Sequence, residues 1–529
     1  MLSFLKNNIK AIGLFVILMV VSVYSFQKNY FEFARQDYFA RFQTDSEGLV
    51  AASIVADRFG LDKKGAHLGY VSKNGEFIYD SPDVYALLGN GEDFFLTDGN
   101  WDRGVARHSA GFFVPNKNEY SAAYKAGRSV KFADGDVREI VRIESGASYL
   151  NVYVTGAPLD AGKVGYPSKF IVMDRDGGNE AAPGSNQNLA FSPYKSQYGI
   201  QGIFFGKIHE LFKIGKLSHL QLINTILLSA IFVSLFFLYR KIYDGKFAAI
   251  FLLTLIGSPW IIFFARNLYW TPFLWFLPAL FAALIYLKKG VAIRSLLLSG
   301  IVAAVFVKSL AGYEYLSAIT LLACSVFVVA PFFRTADRDF AGNARMFILV
   351  FVACVIGFLL ALLALLVHAG MRGDSIVSGL KNIIEEDVKR RTYGDASAFP
   401  EIYRKSLESS PLSVIRTYVA DWGSIPVTLW IPGYLFKALI GFSIVGVCYK
   451  FLTGHATAKR DAILLVFFFM ASASWLVLAK GHSYIHTHLN FVLWYFGFAQ
   501  VLLYVAFNFV MILSIRLFQW IGTRDVKDF

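Results

Sequence analysis

The chain has 529 residues, of which 56 % are hydrophobic and only 17 % are charged, and its formal net charge is +13. This composition excludes an ordinary soluble protein and a disordered chain, and it is typical of a polytopic membrane protein. Most of the excess Lys and Arg stands in short loops between apolar segments, so we interpret it as a signal of membrane orientation and predict no nucleic-acid partner.

The sequence also limits which chemistry is available. The three cysteines, Cys324, Cys354 and Cys448, lie in apolar segments, so the polar segments contain no disulfide. The sequence has no P-loop and no cytoplasmic segment large enough for a nucleotide-binding domain. We therefore expect an enzyme of this type to act on the outer face, where lipid-carried substrates are available and nucleotide-activated ones are not.

The first apolar stretch, residues 11–26, follows Lys6 and Lys10. It is long for the hydrophobic region of a signal peptide, and the bulky sequence after it contains no small-x-small cleavage site. We predict a retained transmembrane helix with a cytoplasmic N-terminus.

An acidic motif, residues 44–48, follows this span by fewer than twenty residues. Thr44 and Glu47 have the spacing of a capping box, and Asp45 then lies where the helix dipole favours an anion. The alternative is catalytic: Asp45 and Glu47 would form the acid/base corner of a membrane-embedded enzyme.

Residues 66–180 contain short runs rich in β-branched and aromatic residues, separated by Gly and Asp turn signals. We predict a small antiparallel β domain inserted into the first outer loop. Trp101, Tyr120 and Tyr124 are candidates for stacking on sugars, although aromatic residues in such a domain are more often part of its core.

Hydrogen-bonding side chains alternate with small and aromatic residues over 191–210, among them Tyr194, Gln197 and Gln201. This composition suits a helix start that lines a polar cleft at the membrane interface. An amphipathic interfacial helix without a ligand explains the pattern equally well.

Nine further apolar stretches follow, each long enough or nearly so to cross about 30 Å of hydrocarbon. We place them near 219–239, 247–265, 270–287, 293–311, 315–333, 346–368, 429–449, 461–479 and 489–515. Basic residues concentrate in alternate loops, which predicts about 10 transmembrane helices with both termini inside. Residues 27–216 and 369–428 would then lie outside.

The second outer segment, 369–428, combines a helical apolar pattern with several arginines. A guanidinium fork matches phosphate oxygens, so these arginines are candidates for binding a phosphate, although a solvated, charge-balanced loop is the ordinary explanation for any one of them. The candidates are Arg372, Arg390, Arg391, Arg404 and Arg416, with Arg390 and Arg391 as the preferred pair.

Polar groups also stand at the predicted outer ends of three pairs of spans, where we expect them to converge with Asp45 in a cleft. A divalent ion between the histidines and Asp45 or Glu47 is conceivable, but no HExxH pattern is present, and we predict hydrogen bonding to an anionic substrate and no metal or other cofactor. These candidate substrate-binding residues are Arg266, Glu314, Lys480, His482, His486 and His488.

The sequence Asp45-Ser-Glu-Gly, soon after the first span, resembles the first-loop acidic motif of GT-C glycosyltransferases. The resemblance extends to the order of parts: many spans, a large first outer loop and a polar cleft at the outer interface. It implies transfer of a sugar from a polyprenyl-phosphate carrier, with Asp45, or second to it Glu47, as the general base. The inserted segment 66–180 departs from the plain first loop of that superfamily.

We therefore expect a polytopic α-helical membrane protein with a β-rich domain in its first outer loop, divided at 1–65, 66–185, 186–368, 369–428 and 429–529. The expected function is glycosyl transfer on the periplasmic face of a bacterial inner membrane. Its partners would be a polyprenyl-phosphate-linked sugar, a cell-envelope glycan or lipid acceptor, and membrane lipid. The alternatives are an O-antigen-type polymerase or ligase, and a non-enzymatic transporter or receptor.

Overall fold

The computed structural model describes residues 2–73, 76–88, 95–96, 111–115, 124–132, 136–145, 149–156, 169–173, 189–333, 339–371 and 375–524. The chain forms two compact units. The helical unit comprises Met1–Phe39, Ser196–Ile200 and Gln221–Phe529, and the strand-bearing unit comprises Ala40–Lys195 and Gln201–Leu220.

The described part of the chain is mostly helical. Its α-helices are α1 (Leu2–Lys28), α2 (Gln36–Arg41), α3 (Thr44–Phe59), α4 (Ser81–Ala86), α5 (Ile200–Phe212), α6 (Leu217–Ile242), α7 (Gly245–Ile256), α8 (Pro259–Ala265), α9 (Phe273–Leu287), α10 (Val291–Ala311), α11 (Leu316–Val329), α12 (Phe340–Met371), α13 (Ile376–Asn382), α14 (Glu401–Glu408), α15 (Pro411–Ala420), α16 (Phe436–Leu452), α17 (Ala458–Leu478), α18 (Lys480–Ile485), α19 (Thr487–Asn490) and α20 (Phe498–Arg524).

Seven of these helices are long and apolar enough to cross a membrane: α1, α6, α10, α12, α16, α17 and α20. They make the chain a polytopic helical membrane protein. Two shorter apolar helices, over Phe273–Leu287 and Leu316–Phe332, accompany them among the described residues.

Helices α7 and α8 are apolar enough to form one span, but they meet at 62°. Pro259 begins α8, and the Ser258 hydroxyl accepts a hydrogen bond from the Ile261 amide, so the second helix has its own N-cap. The Gly257 carbonyl at the break accepts a hydrogen bond of 2.7 Å from the Leu429 amide. The bend therefore occurs where a distant segment satisfies the freed backbone group.

Aromatic residues form the core of the helical unit around Tyr315, which is fully buried. Its ring lies parallel to that of Trp270 at 6.0 Å between centroids and edge-on to that of Trp275 at 5.2 Å. Phe496 packs on the same ring at 6.1 Å. Bulky flat side chains thus fix the start of α11, beside the residues described below.

The strand-bearing unit contains strands β1 (Gly69–Lys73), β2 (Glu76–Ile78), β3 (Phe95–Leu96), β4 (Gly111–Pro115), β5 (Ser129–Phe132), β6 (Val137–Ser145), β7 (Tyr149–Val154), β8 (Lys169–Met173) and β9 (Leu189–Pro193). They form a three-stranded sheet in the order β2-β1-β9 and a six-stranded sheet in the order β3-β8-β5-β6-β7-β4. All pairings are antiparallel, and a bulge interrupts the β6–β7 pairing between Ile140 and Arg142.

Three sugar-stacking candidates were expected from the sequence of this unit. Tyr124 is buried, at 1 % exposure, so its ring is not open to a sugar. Its ring belongs to the core, where most aromatic side chains of a small domain are needed. Trp101 and Tyr120 lie outside the described residues, as does Arg372.

The capping box at Thr44 and Glu47 is also wrong. Helix α3 begins at Thr44 itself, after a left-handed Gln43, and no side chain caps it. The Thr44 hydroxyl donates to the Asp80 carboxylate at 2.6 Å, and the Ser81 hydroxyl donates to Glu47 at 2.7 Å. Partners more than thirty residues away therefore replace the local reciprocal bonds.

Candidate functional site

In the helical unit, Glu314 lies between a cation and a side-chain amide. It is 5 % exposed, and its Oε1 is 3.4 Å from Nη1 of Arg391. The Gln197 side-chain amide approaches the same oxygen at 3.4 Å and donates to the Tyr269 hydroxyl at 2.8 Å. A buried carboxylate needs such partners, so the positions of Glu314 and Arg391 depend on each other.

Three histidines follow on the short helices α18 and α19. The ring centroids of His482 and His486 are 4.4 Å apart, and those of His486 and His488 are 5.5 Å apart. The Nδ1 atoms of His482 and His486 are buried and have no hydrogen-bond partner among the described residues. A buried polar atom without a partner requires an explanation, and a bound ligand, ion or water is one of them.

Burial, and then the surrounding charges, favour the neutral form of His482 and His486. Burial lowers the pKa of His482 well below its usual range, and His486, Arg391 and Arg390 lower it further. Burial also lowers the pKa of His486 to about 4, with additional lowering by His488 and Arg391, while Glu314 opposes the shift. We call Glu314, Arg390, Arg391, His482, His486 and His488 the arginine–histidine cluster.

Backbone contacts fix α18 against the arginines. A Cβ atom on Gly481 would lie 2.9 Å from the carbonyl oxygen of Arg390 and 3.3 Å from that of Arg391. This approach is too close for a side chain, so glycine allows the two segments to touch. The Tyr418 hydroxyl of α15 is 2.6 Å from the Ser483 carbonyl, to which it donates.

Lys480 has a structural role that the sequence did not indicate. Its Nζ donates to the carbonyls of Leu407, at 2.5 Å, and Ser409, at 2.8 Å, where α14 ends. It also lies over the Tyr393 ring, 5.1 Å from the centroid. These contacts make Lys480 a C-terminal helix cap, and its role as a substrate ligand stays a prediction.

Arg266 and Arg390, two more of the predicted arginines, have protein contacts as well. Arg266 donates to the Phe39 carbonyl at 2.9 Å, and its guanidinium lies 4.0 Å from the centre of the Phe39 ring. Arg390 is 5.2 Å from the Tyr403 ring centroid and 3.4 Å from the Tyr403 hydroxyl. Arg390 thus belongs to the cluster, whereas the described contacts of Arg266 tie it to the end of α2.

Backbone strain occurs beside the cluster at Tyr315, whose φ is +69°. An aromatic residue rarely adopts this left-handed conformation, and such residues are concentrated at functional sites. The Tyr315 hydroxyl donates to Oδ1 of Asn490 at 2.9 Å, while Nδ2 of Asn490 is buried without a described partner. This bond joins the start of α11 to the end of α19.

The arrangement is suited to an anion. Two guanidinium groups supply positive charge, and neutral imidazoles supply further hydrogen bonds that become stronger on protonation. Among the described residues, no group of three or more His, Cys, Asp and Glu side chains has a geometry that would hold a metal ion.

In the strand-bearing unit, Asp45 and Glu47 have different surroundings. Glu47 is 2 % exposed and accepts the Ser81 hydroxyl, whereas Asp45 is exposed on the first turn of α3. Asp45 is open to a solute and Glu47 is buried with a partner, so Asp45 is the better candidate base of the two. Glu47 is the residue that holds this turn in place.

Two more predicted residues belong to this unit. Tyr194 is half-buried, and its ring centroid is 6.4 Å from that of Tyr70. Gln201 is buried at 1 % exposure near the start of α5. The structure thus groups Tyr194 with Tyr70, whereas it groups Gln197 with the arginine–histidine cluster in the other unit.

Sequence reasoning missed Tyr418 and Tyr70. Tyr418 and Val414 are buried on one side of α15, and their i, i+4 spacing was a detectable signal for a buried helix face. The position of Tyr70 beside Tyr194 depends on the pairing of β1 with β9, more than a hundred residues apart. No local pattern encodes that pairing.

Comparison of the chain with protein-family models, with curated proteins and with solved structures finds no match in any of the three.

Proposed function

We propose that the protein is a membrane glycosyltransferase of the GT-C type. It transfers a sugar from a polyprenyl-phosphate donor to a cell-envelope glycan or lipid acceptor. The observation that carries the proposal is the arginine–histidine cluster, in which buried imidazole nitrogens without a partner among the described residues lie beside two guanidinium groups. Such a cluster suits the phosphate of a lipid-linked sugar.

The proposed reaction needs a general base and a site for the leaving phosphate. Asp45 accepts the proton of the acceptor hydroxyl as that oxygen forms its bond to the anomeric carbon. The bond from the anomeric carbon to the phosphate oxygen breaks, and the polyprenyl phosphate leaves with the electron pair. Arg390, Arg391 and the cluster histidines stabilise the charge on the leaving phosphate.

The membrane arrangement proposed with this function has ten spans. They are the seven long helices, the bent pair α7 and α8 as one span, and the shorter α9 and α11. Both termini are cytoplasmic, the membrane is a bacterial inner membrane, and the strand-bearing unit is a periplasmic domain in the first outer loop. The basic residues of the short loops between these helices support this orientation.

A second candidate is an O-antigen-type polymerase or ligase. Arg390 and Arg391, which are adjacent in the sequence, favour it, since two guanidinium forks match a diphosphate better than a monophosphate. The exposed Asp45 favours the first function. Transport is less well supported, because one bent helix pair occurs in the described part of the chain and an inverted repeat would place two.

Mass spectrometry of the envelope glycan tests the function in cells that carry wild-type protein, no protein, Asp45→Asn or Glu47→Gln. We expect the wild type to add a sugar-sized mass and Asp45→Asn to reduce that product at least about 100-fold, the usual effect of removing a general base. Glu47→Gln retains activity in proportion to the amount of folded protein, because its side chain still accepts the Ser81 hydroxyl.

The matched control is Asp62→Asn, which removes another exposed carboxylate of the same unit. We expect it to behave as the wild type when membrane levels are equal. A glycan that is identical with and without the protein refutes the proposal, and full activity of well-expressed Asp45→Asn refutes the assignment of the base. Release of a polyprenyl diphosphate instead of a monophosphate supports the second candidate.

A further inference from the structure

Four aromatic rings lie together in the strand-bearing unit. The Tyr70 ring is at the centre, with its centroid 5.6 Å from that of Tyr79, 6.2 Å from that of Phe77 and 6.4 Å from that of Tyr194. The Tyr70 ring meets each of the other three nearly edge-on, with interplanar angles of 71° to 88°. We call these four residues the aromatic face.

The strand register explains why they are on the same side of the sheet. Ser72 of β1 is opposite Phe77 of β2, and Tyr70 of β1 is opposite Ser192 of β9. Since side chains alternate along a strand, Tyr79 shares the side of Phe77, and Tyr194 shares that of Ser192. The other side of the sheet presents Val71 and Phe191, which are buried.

The aromatic face is open. Phe77 is 42 % exposed and Tyr79 is 53 % exposed, while Tyr70 and Tyr194 are half-buried. The opposite side of the sheet packs into the hydrophobic core, so the four rings of the aromatic face are not needed to cover that core. Large aromatic side chains grouped on a surface commonly form a binding site.

The aromatic face lies beside Asp45. A Cβ atom on Gly48 would coincide with the Tyr79 carbonyl oxygen, at 1.8 Å, so α3 packs directly on the end of β2. The hydrogen bond that Thr44 donates to Asp80 and the one that Glu47 accepts from Ser81 hold it there. Burial raises the pKa of the Tyr70 hydroxyl, and electrostatic interaction with Tyr194, Asp45 and Tyr79 raises it further, as expected for neighbouring groups.

We propose that the aromatic face is the acceptor subsite, where a pyranose ring of a cell-envelope glycan stacks with one hydroxyl directed to Asp45. The identification as an acceptor rests on the proposed glycosyl transfer. The apolar C–H side of a sugar ring matches an aromatic ring, and three tyrosine hydroxyls and one carboxylate can hydrogen-bond the sugar hydroxyls around it.

A cationic ammonium ligand fits this face less well. Such ligands are held strongly where aromatic rings enclose and desolvate the cation, and weakly at exposed rings. Phe77 and Tyr79 are among the exposed large side chains of the molecule, which is the weak case. Several exposed rings beside a carboxylate instead suit a neutral ligand, such as a sugar, that has one apolar face and hydroxyl groups around it.

Saturation-transfer NMR on the full-length protein in lipid nanodiscs tests the subsite without turnover. The probes are the methyl glycosides of glucose, galactose, mannose and rhamnose, disaccharides of each, and tetramethylammonium. With the aromatic protons irradiated, we expect at least one sugar to receive saturation at its ring C–H protons. Phe77→Leu and Tyr79→Leu each weaken that binding about 2- to 10-fold, the range for loss of one aromatic contact.

Tyr434→Leu, which alters a 72 % exposed tyrosine of the helical unit, is the matched control and leaves the affinity unchanged. Near-ultraviolet circular dichroism and thermal unfolding verify that each variant is folded. The proposal is overturned if no sugar binds the wild type, if both leucine variants bind as the wild type does, or if tetramethylammonium binds and the sugars do not. Sugar binding that the leucine variants lose supports the subsite even where deletion leaves the cellular glycan unchanged, a result that refutes only glycosyl transfer.

Discussion

At the scale of single residues, burial separates groups that look equivalent in the sequence. Asp45 and Glu47 are two positions apart, yet one is exposed and the other is held by Ser81. Lys480 and Arg391 were both expected to bind phosphate, but Lys480 is committed to the end of α14, whereas Arg391 is paired with Glu314 within the cluster. The role of a charged side chain therefore depends on the group with which it is paired, as well as on its charge.

The histidines give the protein a pH-dependent stability. The pKa of His486 is about 4 in the folded state, because burial, His488, Arg391 and Arg390 lower it more than Glu314 raises it, and His482 lies beside it with a pKa also well below its usual range. The unfolded chain binds these protons near pH 6.5, so the fold loses stability as pH falls from about 6.5 to 4, by about 1.4 kcal/mol per pH unit for each such group. This pH dependence is absent at higher pH, where the two histidines are neutral in the folded and in the unfolded protein.

Thermal unfolding in detergent between pH 7.5 and 4.5 measures this effect. We expect His486→Gln to unfold at a temperature that depends less on pH than that of the wild type. His219→Gln, which changes an exposed histidine at the start of α6, keeps the wild-type dependence. Parallel curves for wild type and His486→Gln would contradict the assignment.

At the scale of elements, the histidines are placed by short helices whose position depends on their neighbours. Helix α18 has six residues and α19 has four, too few to be stable alone. The Lys480 cap, the Tyr418 hydroxyl and the contact at Gly481 supply the missing constraints. The site is therefore sensitive to the fit between α18 and the arginine segment.

Gly481→Ala tests that fit. The added Cβ at 2.9 Å from the Arg390 carbonyl forces the segments apart by a few tenths of an ångström, so we expect a 5- to 50-fold loss of transfer, because small misplacements of catalytic groups lower rates strongly. The readout is the rate per folded protein, with the amount folded measured by thermal unfolding. Gly441→Ala in α16, where a Cβ meets no atom within 4 Å, is the control and keeps full activity. Equal activity of both variants would show that the contact does not position the site.

At the scale of the whole molecule, the proposed topology decides which segments share a side of the membrane. It places residues 58 and 405 outside and residues 289 and 459 inside. The three native cysteines lie in apolar helices, so a cysteine-free background is a mild change there.

Single cysteines at Arg58, Lys405, Lys289 and Lys459, all exposed, test the arrangement. In intact spheroplasts, a membrane-impermeant maleimide should label Arg58→Cys and Lys405→Cys and should label Lys289→Cys and Lys459→Cys only after lysis. Labelling of all four before lysis, with the membrane shown to be intact, would contradict the ten-span topology.

The sequence by itself determined most of the membrane helices. The apolar stretches expected at 219–239, 293–311 and 461–479 correspond to α6, α10 and α17, because the run of apolar residues that crosses a bilayer is a local property. The last stretch, expected at 489–515, is instead a buried 3₁₀ segment over Phe491–Tyr495 followed by α20. Apolar composition cannot distinguish burial in protein from burial in lipid.

Only the tertiary structure decided which polar groups meet. The local pattern at Thr44 and Glu47 predicted a capping box, but Asp80 and Ser81 offer these side chains hydrogen bonds from another part of the chain. Tyr70 contacts Tyr194 because strands more than a hundred residues apart in the sequence pair with each other. Arg391 contacts Glu314, which is 77 residues before it in the sequence. Local patterns record propensity and periodicity, whereas a site is made by contacts between distant segments, which no single window of sequence contains.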